Sequence, residues 1–537
     1  MAGLAALLDE FFAYWWHAHP EDATAVGIHT HDGQFERYDA ASVAERIQHF
    51  RDYIDAFEHL TPRNAGEALD RALVLDQIRL RLHDLDDVRV HTRNPLVYLD
   101  PPLSALYLMA TREYAPAEDR ARAAADRLRA LPAVLDDARE NLTDVAPVFV
   151  RTAAAVARSG LVLLETALPL GLGSALEDDV AEFARWDNAL RGAESALGAF
   201  ARWLEEDLAP RASGDFAIGR AAFEARLRYA HGLTEPVDTL RAFGERLKRE
   251  TEAALAAVAR EIDDRRDWRA LIESLKDDHP PADGLIEAYA NEMARARAFV
   301  EERELVEMPA GEDLEVTATP EFLRPLIPFA AYEPPAPHET EQKGLFLVTP
   351  PPPGAASSLR DHPRNGIAVT ALHEAYPGHH LQLVWSNRAE SEPRRVFRTS
   401  IFAEGWALYA EELMWEHGFY TDPRERLLQL KDLLWRACRV VVDIGLHVGG
   451  WSVEQAVDYL VREAGLERAN AEVEVHRYCA EPTQPLSYAV GKREILRLRE
   501  LSRARAGERF RLREFHDRLL SWGTIPPALI ARGMGLA

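Results

Sequence analysis

The chain has 537 residues, 47% hydrophobic and 28% charged, a composition that excludes collagen-like and disordered chains and is able to bury a large core. Sixty-three basic residues against 88 acidic ones leave a formal charge of −25, which repels phosphate backbones, so nucleic acid is not an expected partner. Only two cysteines occur, Cys438 and Cys479, which excludes a disulfide framework and a thiolate zinc cluster; reduced, buried thiols suit a cytoplasmic protein.

The N-terminal run MAGLAALLDEFFAYWW reads as an amphipathic helix and not as an export signal, because no basic region precedes it and Asp9 and Glu10 interrupt it. From residue 40 to about 310, segments such as EDRARAAADRLRALPAVLDDARENL return apolar residues every three or four positions. That is the period of amphipathic helices, punctuated by Pro132, Pro147, Pro169, Pro210 and Pro236. The most apolar segment, LVLLETALPLGLG, is broken by Glu165 and Pro169 and reads as too short to cross a bilayer, so no membrane span is expected. Near residue 320 prolines accumulate around one β-like run, Gly344 to Thr349, and the proline flanks predict an edge strand or a short hairpin, open to pairing with an extended substrate. Helix resumes near Asn365. The pattern predicts a mainly α protein with one small β-sheet, with a helical half at 1–330 and a second half at 331–537.

Dinucleotide, P-loop and G-x-S-x-G signatures are absent. What remains is ALHEAYPGHHLQ, residues 371–382, followed by FAEGWALYAEEL, residues 402–413. A helical H-E-x-x-H sets two imidazoles one turn apart on one face, where both reach a zinc ion, and places the Glu beside the attacking water as general base. Here the position four after His373 is Pro377, and Gly378 and His379 follow. A regular helix would put His379 about 120° off the face, at roughly 100° per residue, so the reading requires a two-residue bulge at the proline.

His380 is the competing second ligand: it returns to the face of a straight helix but lies roughly 10 Å along the axis. The third ligand should be a carboxylate on a neighbouring helix, and Glu404 fits, 25 residues after His379. Glu374 is then the general base. Glu411, two turns beyond Glu404, orients a ligand or binds substrate.

At these residues the sequence resembles the bacterial family known as domain of unknown function 885, whose members carry H-E-x-x-P-G-H-H-L-Q and E-G-W-A-x-Y, matched here by His373 to Gln382 and Glu404 to Tyr409. Further family-like stretches, EDATAVGIHTHDG and HRYCAEPTQPLSYAVGKREILRLRE, extend the likeness over nearly the whole chain. The family resembles distant helical zinc peptidases of the thimet-oligopeptidase, angiotensin-converting-enzyme and thermostable-carboxypeptidase groups. That likeness implies a zincin-like body with a deep channel, one zinc ion per chain, His379 as the second ligand, and Tyr488 of SYAVG as the group that steadies the oxyanion. Arg477, Tyr478 and Lys492 lie in the same segment and are candidates to hold a substrate carboxylate. The sequence departs from the family at residues 482–485, Pro-Thr-Gln-Pro, where P-G-Q-A is more usual. The expected activity is zinc-dependent cleavage of an amide bond in short peptides or acylated amino acids. The alternatives are a biosynthetic enzyme acting on a non-peptide carbonyl, or a binding protein on a retired scaffold.

Overall fold

A computed structural model describes residues 3–324, 326–327, 329–351 and 356–536; Pro352 and Pro353 of the proline run lie outside the described residues. The chain forms two compact units, Met1–Ile218 with Pro320–Pro328 and Ala336–Thr340, and Gly219–Thr319 with Phe329–Pro335 and Glu341–Ala537. The change of composition near residue 320 therefore marks the sheet and not the division between units. Helices of similar composition run on both sides of Ile218, so no signal stands there.

In the first unit, helix α1 (Leu4–Ala18) buries Phe11, Phe12, Trp15 and Trp16, the apolar face of the N-terminal run. Asp39 accepts from the amides of Ala41 and Ser42 and starts α2 (Ala40–His59), and Asn64 caps α3 (Ala65–Leu82) in the same way. Pro132 sits inside α4 (Ala117–Asn141) without ending it. Pro147 opens α5 (Pro147–Val162), which continues through a wider turn, Leu163–Ala167, as far as Gly171. The broken, short segment expected at Glu165 and Pro169 is thus one helical stretch of 25 residues. The wider turn bonds five residues back and makes room for the ring of Pro169. By length and composition this stretch could cross a membrane, and half of its most apolar window is buried in the protein. Asp179 caps α6 (Val180–Trp203), which packs on α4.

The second unit is built on helices α7 (Val237–Ile262) and α8 (Leu285–Glu302), a three-stranded sheet, and a run of helices to the C-terminus. The strands are β1 (Asp313–Ala318), β2 (Ala330–Glu333) and β3 (Lys343–Val348), in the order β1-β3-β2. β3 runs parallel to β1, with Asp313 opposite Lys343 and Ala318 opposite Val348, and antiparallel to β2, with Ala330 opposite Val348 and Glu333 opposite Leu345. The run Gly344 to Thr349 is therefore the central strand. The exposed edge expected from its prolines does not exist, because Pro334, Pro335, Pro337 and Pro350 all lie outside the paired residues and every amide within β3 remains available to a neighbour. A substrate strand cannot pair with backbone that two neighbours already use.

After the sheet come α9 (Arg364–Glu374), α10 (His379–Ser386), α11 (Ser400–Glu416), α12 (Pro423–His447), α13 (Arg468–Ala480) and α14 (Ser487–Ala506). Asp422 and Glu425 form a reciprocal cap at the start of α12, and Pro423 takes the first helical position, where its missing N–H costs nothing. From Ala437 to His447 every residue of α12 is buried, so this is the central helix of the unit, and α7 packs along it. Helices α11 and α14 meet backbone to backbone: a Cβ at Gly405 would stand 2.6 Å from the Cα of Gly491, and a Cβ at Gly491 would strike the carbonyl of Ile401. The crossing sets Glu404, beside Gly405, close to the first turn of α14, where Tyr488 lies. Cys438 and Cys479 are buried and form no disulfide.

Candidate metal centre

The motif is carried by two helices and not by one bulged helix. α9 ends at Glu374, the chain leaves helical geometry at Ala375, the Tyr376–Pro377 peptide is cis, and α10 begins at His379. Proline at 377 has no N–H to continue α9 and displaces the carbonyl of residue 373, so the helix stops where a bulge was expected. The turn is pinned from both sides. Tyr376 Oη donates to Glu312 Oε2 at 2.8 Å, and Trp406 Nε1 donates to the carbonyl of Pro377 at 2.6 Å. Gly378 lies so close to the carbonyls of Leu372 and His373 that any Cβ there would overlap both. This glycine is required for space, which lets α10 start directly against the end of α9.

The break brings the expected ligands together. His373, His379 and Glu404 each offer one atom, and the three atoms lie within 4.8 Å of one another. Nε2 of His379 is 3.3 Å and Nε2 of His373 3.7 Å from Glu404 Oε2, and the rings stand almost perpendicular at 86°. Apart from these two ion-pair contacts, Glu404 Oε2 is buried with no hydrogen-bond partner among the described residues. Behind His373, Nδ1 lies 2.8 Å from Glu411 Oε1, and Gln429 Nε2 donates to the other oxygen of Glu411 at 3.3 Å. Glu411 is 1% exposed and its Oε1 is turned to His373, the contact expected of a residue that orients a ligand.

The ionisable groups of the site shift one another. Burial disfavours a charged His373, but the carboxylates of Glu404, Glu411 and Glu374 outweigh it and push the imidazole up to about 10. Burial also disfavours ionised Glu404, and the imidazoles of His373 and His379 outweigh that, holding it well below the usual carboxylate range. Two imidazole nitrogens and a carboxylate oxygen make the three-ligand set of a catalytic zinc site, and the buried, unbonded Glu404 oxygen is the atom that such an ion would satisfy.

His380, the competing ligand, faces away. Its Nε2 is 2.9 Å from Glu312 Oε2, its Nδ1 3.0 Å from Tyr332 Oη of β2, and it is fully buried. Because α10 begins at His379, neighbouring residues diverge by about 100°, and the phase argument for a straight helix no longer applies. Glu374 is half-buried at the end of α9. Burial first, then the charge of Glu374, push the hydroxyl of Tyr289 up.

Tyr488 is half-buried, and burial together with the charge of Glu404 raises its hydroxyl. The three candidates for holding a carboxylate are engaged elsewhere. Tyr478 is fully buried and accepts from Arg439 Nε at 2.7 Å; Lys492 is buried 3.1 Å from Glu412; Arg477 donates to Glu474, Glu481 and Gln484. Thr483, at the departure from P-G-Q-A, has φ of +74°, the left-handed conformation a glycine would take freely. It is held there by Asp443, which accepts from its amide at 3.2 Å, and by His231, whose Nε2 lies 3.0 Å from its hydroxyl.

Sequence reasoning missed Glu312, which anchors both Tyr376 and His380 from the strand side of the unit and carries no local signal. Arg436, Arg439 and Asp443 place charge inside the otherwise apolar stretch LLWRACRVVVDIGL of α12.

The family described as "Bacterial protein of unknown function (DUF885)" matches residues 20–534. No curated protein matches the chain. Among solved structures, a putative lipoprotein of unknown function from Shewanella oneidensis is 23% identical with a TM-score of 0.84 and full coverage of both chains, 100% of each. A putative lipoprotein from Colwellia psychrerythraea is 19% identical, also at a TM-score of 0.84, over 99% of this chain and 98% of its own. These likenesses show a common fold. They also overturn the cytoplasmic placement expected from the cysteines, since both are described as lipoproteins.

Proposed function

Because the chain belongs to the bacterial family of unknown function DUF885, whose name assigns no chemistry, we propose a function from the site itself: a zinc-dependent hydrolase that cleaves an amide bond in short peptides or acylated amino acids. The observation that carries this reading is the convergence of His373, His379 and Glu404 within 4.8 Å, with Glu404 Oε2 buried and unbonded. Bound there, zinc would supply a Lewis acid for the scissile carbonyl and acidify the attacking water.

The remaining work falls to the chain's own residues. Glu411 accepts the Nδ1 proton of His373 and so keeps its Nε2 facing Glu404, the position from which it would donate to a metal. Glu374, one residue after His373, takes the proton of the attacking water and returns it to the leaving amine. Tyr488 donates its hydroxyl proton in a hydrogen bond to the carbonyl oxygen as charge develops there.

Elemental analysis after zinc-supplemented expression tests the reading. One zinc per chain is expected, lost in His373→Ala and Glu404→Ala. Glu374→Gln should keep the metal and lose turnover of amide substrates by about 10²- to 10⁴-fold. A chain that stays metal-free, or a Glu374→Gln variant as active as the parent, would end the proposal.

A further inference from the structure

Helix α12 presents a second feature beside the centre. Asp432, Arg436 and Arg439 recur at helical spacing along one face. The guanidinium of Arg439 lies 4.2 Å from the ring centre of Trp435 and 4.6 Å from that of Tyr488; the guanidinium of Arg436 lies 4.8 and 5.8 Å from the same two rings. Both arginines therefore flank the tyrosine assigned to the oxyanion.

Three N–H groups in this cluster are buried without a hydrogen-bond partner among the described residues: Trp435 Nε1, Arg436 Nε and Arg439 Nη1. Arg439 is 4% exposed, and its other nitrogens are spent on Tyr478 Oη at 2.7 Å and Glu474 Oε2 at 2.9 Å. Buried donors in native proteins are almost always satisfied, and three together on neighbouring side chains mark a place for an acceptor.

Charge points the same way. Glu474 is shared by Arg439 and Arg477, Asp432 by Lys431 and Arg436, and Glu481 pairs with Arg477. Among the described residues, these ion pairs join four cations to three carboxylates, although the chain as a whole carries a surplus of acid. One further carboxylate balances the network, and planar guanidinium groups suit it.

Lys431 and Asp432 of this network also line a cavity. This cavity, of about 380 Å³, is lined by Trp268, Ile367 and Thr370 on one side and Leu428 and Asp432 on the other. Thr370 is one turn before Glu374 on α9, and Asp432 one turn before Arg436 on α12. The cavity's lining thus includes residues one helical turn from the proposed general base and from Arg436.

We propose that Trp435, Arg436 and Arg439 form a subsite for a substrate carboxylate beside Tyr488, so that the hydrolase acts on short peptides or acyl-amino acids carrying a free carboxylate. This rests on the hydrolase reading for the bond cleaved, but not for the binding.

Binding to the full-length, zinc-supplemented Glu374→Gln variant separates the two. The probes are one N-acylated dipeptide as its free acid, the same dipeptide as its C-terminal amide, and an amide with a glutamate side chain at the last position. The free acid should bind at least about tenfold more tightly than the plain amide, the size expected for charged hydrogen bonds. Arg436→Gln should remove that preference, and Trp435→Phe, which keeps the ring and loses the donor, should reduce it. A glutamate amide that binds as tightly as the free acid assigns the subsite to a side-chain carboxylate; one that binds as weakly as the plain amide assigns it to the chain terminus. Equal binding of acid and plain amide, no binding of any probe, or a preference unchanged in Arg436→Gln overturns the subsite. Parallel turnover of the amide probes by the parent protein reports on hydrolysis alone, so an enzyme indifferent to the carboxylate is distinguished from no enzyme at all.

Discussion

Glu411 holds His373 from behind the metal centre, its Oε1 2.8 Å from Nδ1, in a position with no access to solvent. A carboxylate in this place fixes the ring's orientation and makes its other nitrogen a better donor to a metal. Glu411→Gln preserves the shape and removes the charge. Zinc affinity, read by competition with a chelator of known strength, should fall about 10- to 100-fold while the fold is retained. An unchanged affinity would mean that Glu411 has no part in holding the metal.

The two adjacent histidines should separate cleanly. His379→Ala should lose zinc with little change in stability, because its ring is partly open and its close contacts are the carboxylate of Glu404 and the edge of the His373 ring, both within the candidate site. His380→Ala should keep zinc and lose about 2–4 kcal/mol in chemical denaturation, since Glu312 and Tyr332 lose a buried partner. The reverse pattern, zinc lost with His380 and kept without His379, contradicts the geometry of the break.

At Thr483 a β-branched residue occupies φ of +74° and also offers its hydroxyl to His231. Thr483→Ala loses the hydroxyl but keeps a Cβ in the left-handed region, whereas Thr483→Gly loses both. The glycine variant should therefore be more stable than the alanine variant by about 1 kcal/mol, the usual cost of that conformation for a residue with a side chain. Thermal unfolding of the pair decides it, and an alanine variant equal to or more stable than the glycine one argues against backbone strain here.

Asp443 gives a dependence on pH. Burial pushes its carboxyl up to about 8 from a value of 3.8, even though the amides of Thr483 and Leu486 donate to it at 3.2 and 3.3 Å. The folded state then holds the proton more tightly than the unfolded one. The stabilisation this gives is complete below about 3.8 and is lost as pH rises from there through about 8. Asp443→Asn, which cannot ionise, should flatten stability against pH across that window; parallel profiles for parent and variant would show that Asp443 does not titrate as its burial implies.

The candidate group was legible because a metal site needs particular atoms, and His373, His379 and Glu404, which the structure brings together, stand in two short motifs with Glu374. Their backbone was not. Pro377 announces a departure from the helix, but whether it bulges or stops depends on Gly378, Trp406 and Glu312, contacts made over tens of residues. The sheet was half legible: Leu345 to Val348 is apolar enough to be seen, whereas β1, DLEVTA, and β2, AAYE, lack a buried face and are strands only because β3 pairs with them. For the same reason β3 looked like an edge. Arg436 and Arg439 are visible as charges in an apolar helix, but that pattern does not say which of their N–H groups remain unbonded.

The glycine crossing of α11 and α14 bears on how this protein tolerates change. With Gly405 against Gly491, main chain sets the spacing between the turn that carries Glu404 and the turn that carries Tyr488. Side chains elsewhere in the core can be exchanged, or drift between relatives, without altering that spacing, much as furniture can be moved without shifting the walls. The vulnerability is concentrated instead in two positions without chemistry of their own. A single methyl group at either would displace a helix as a rigid body and pull Tyr488 away from Glu404 with both residues unaltered.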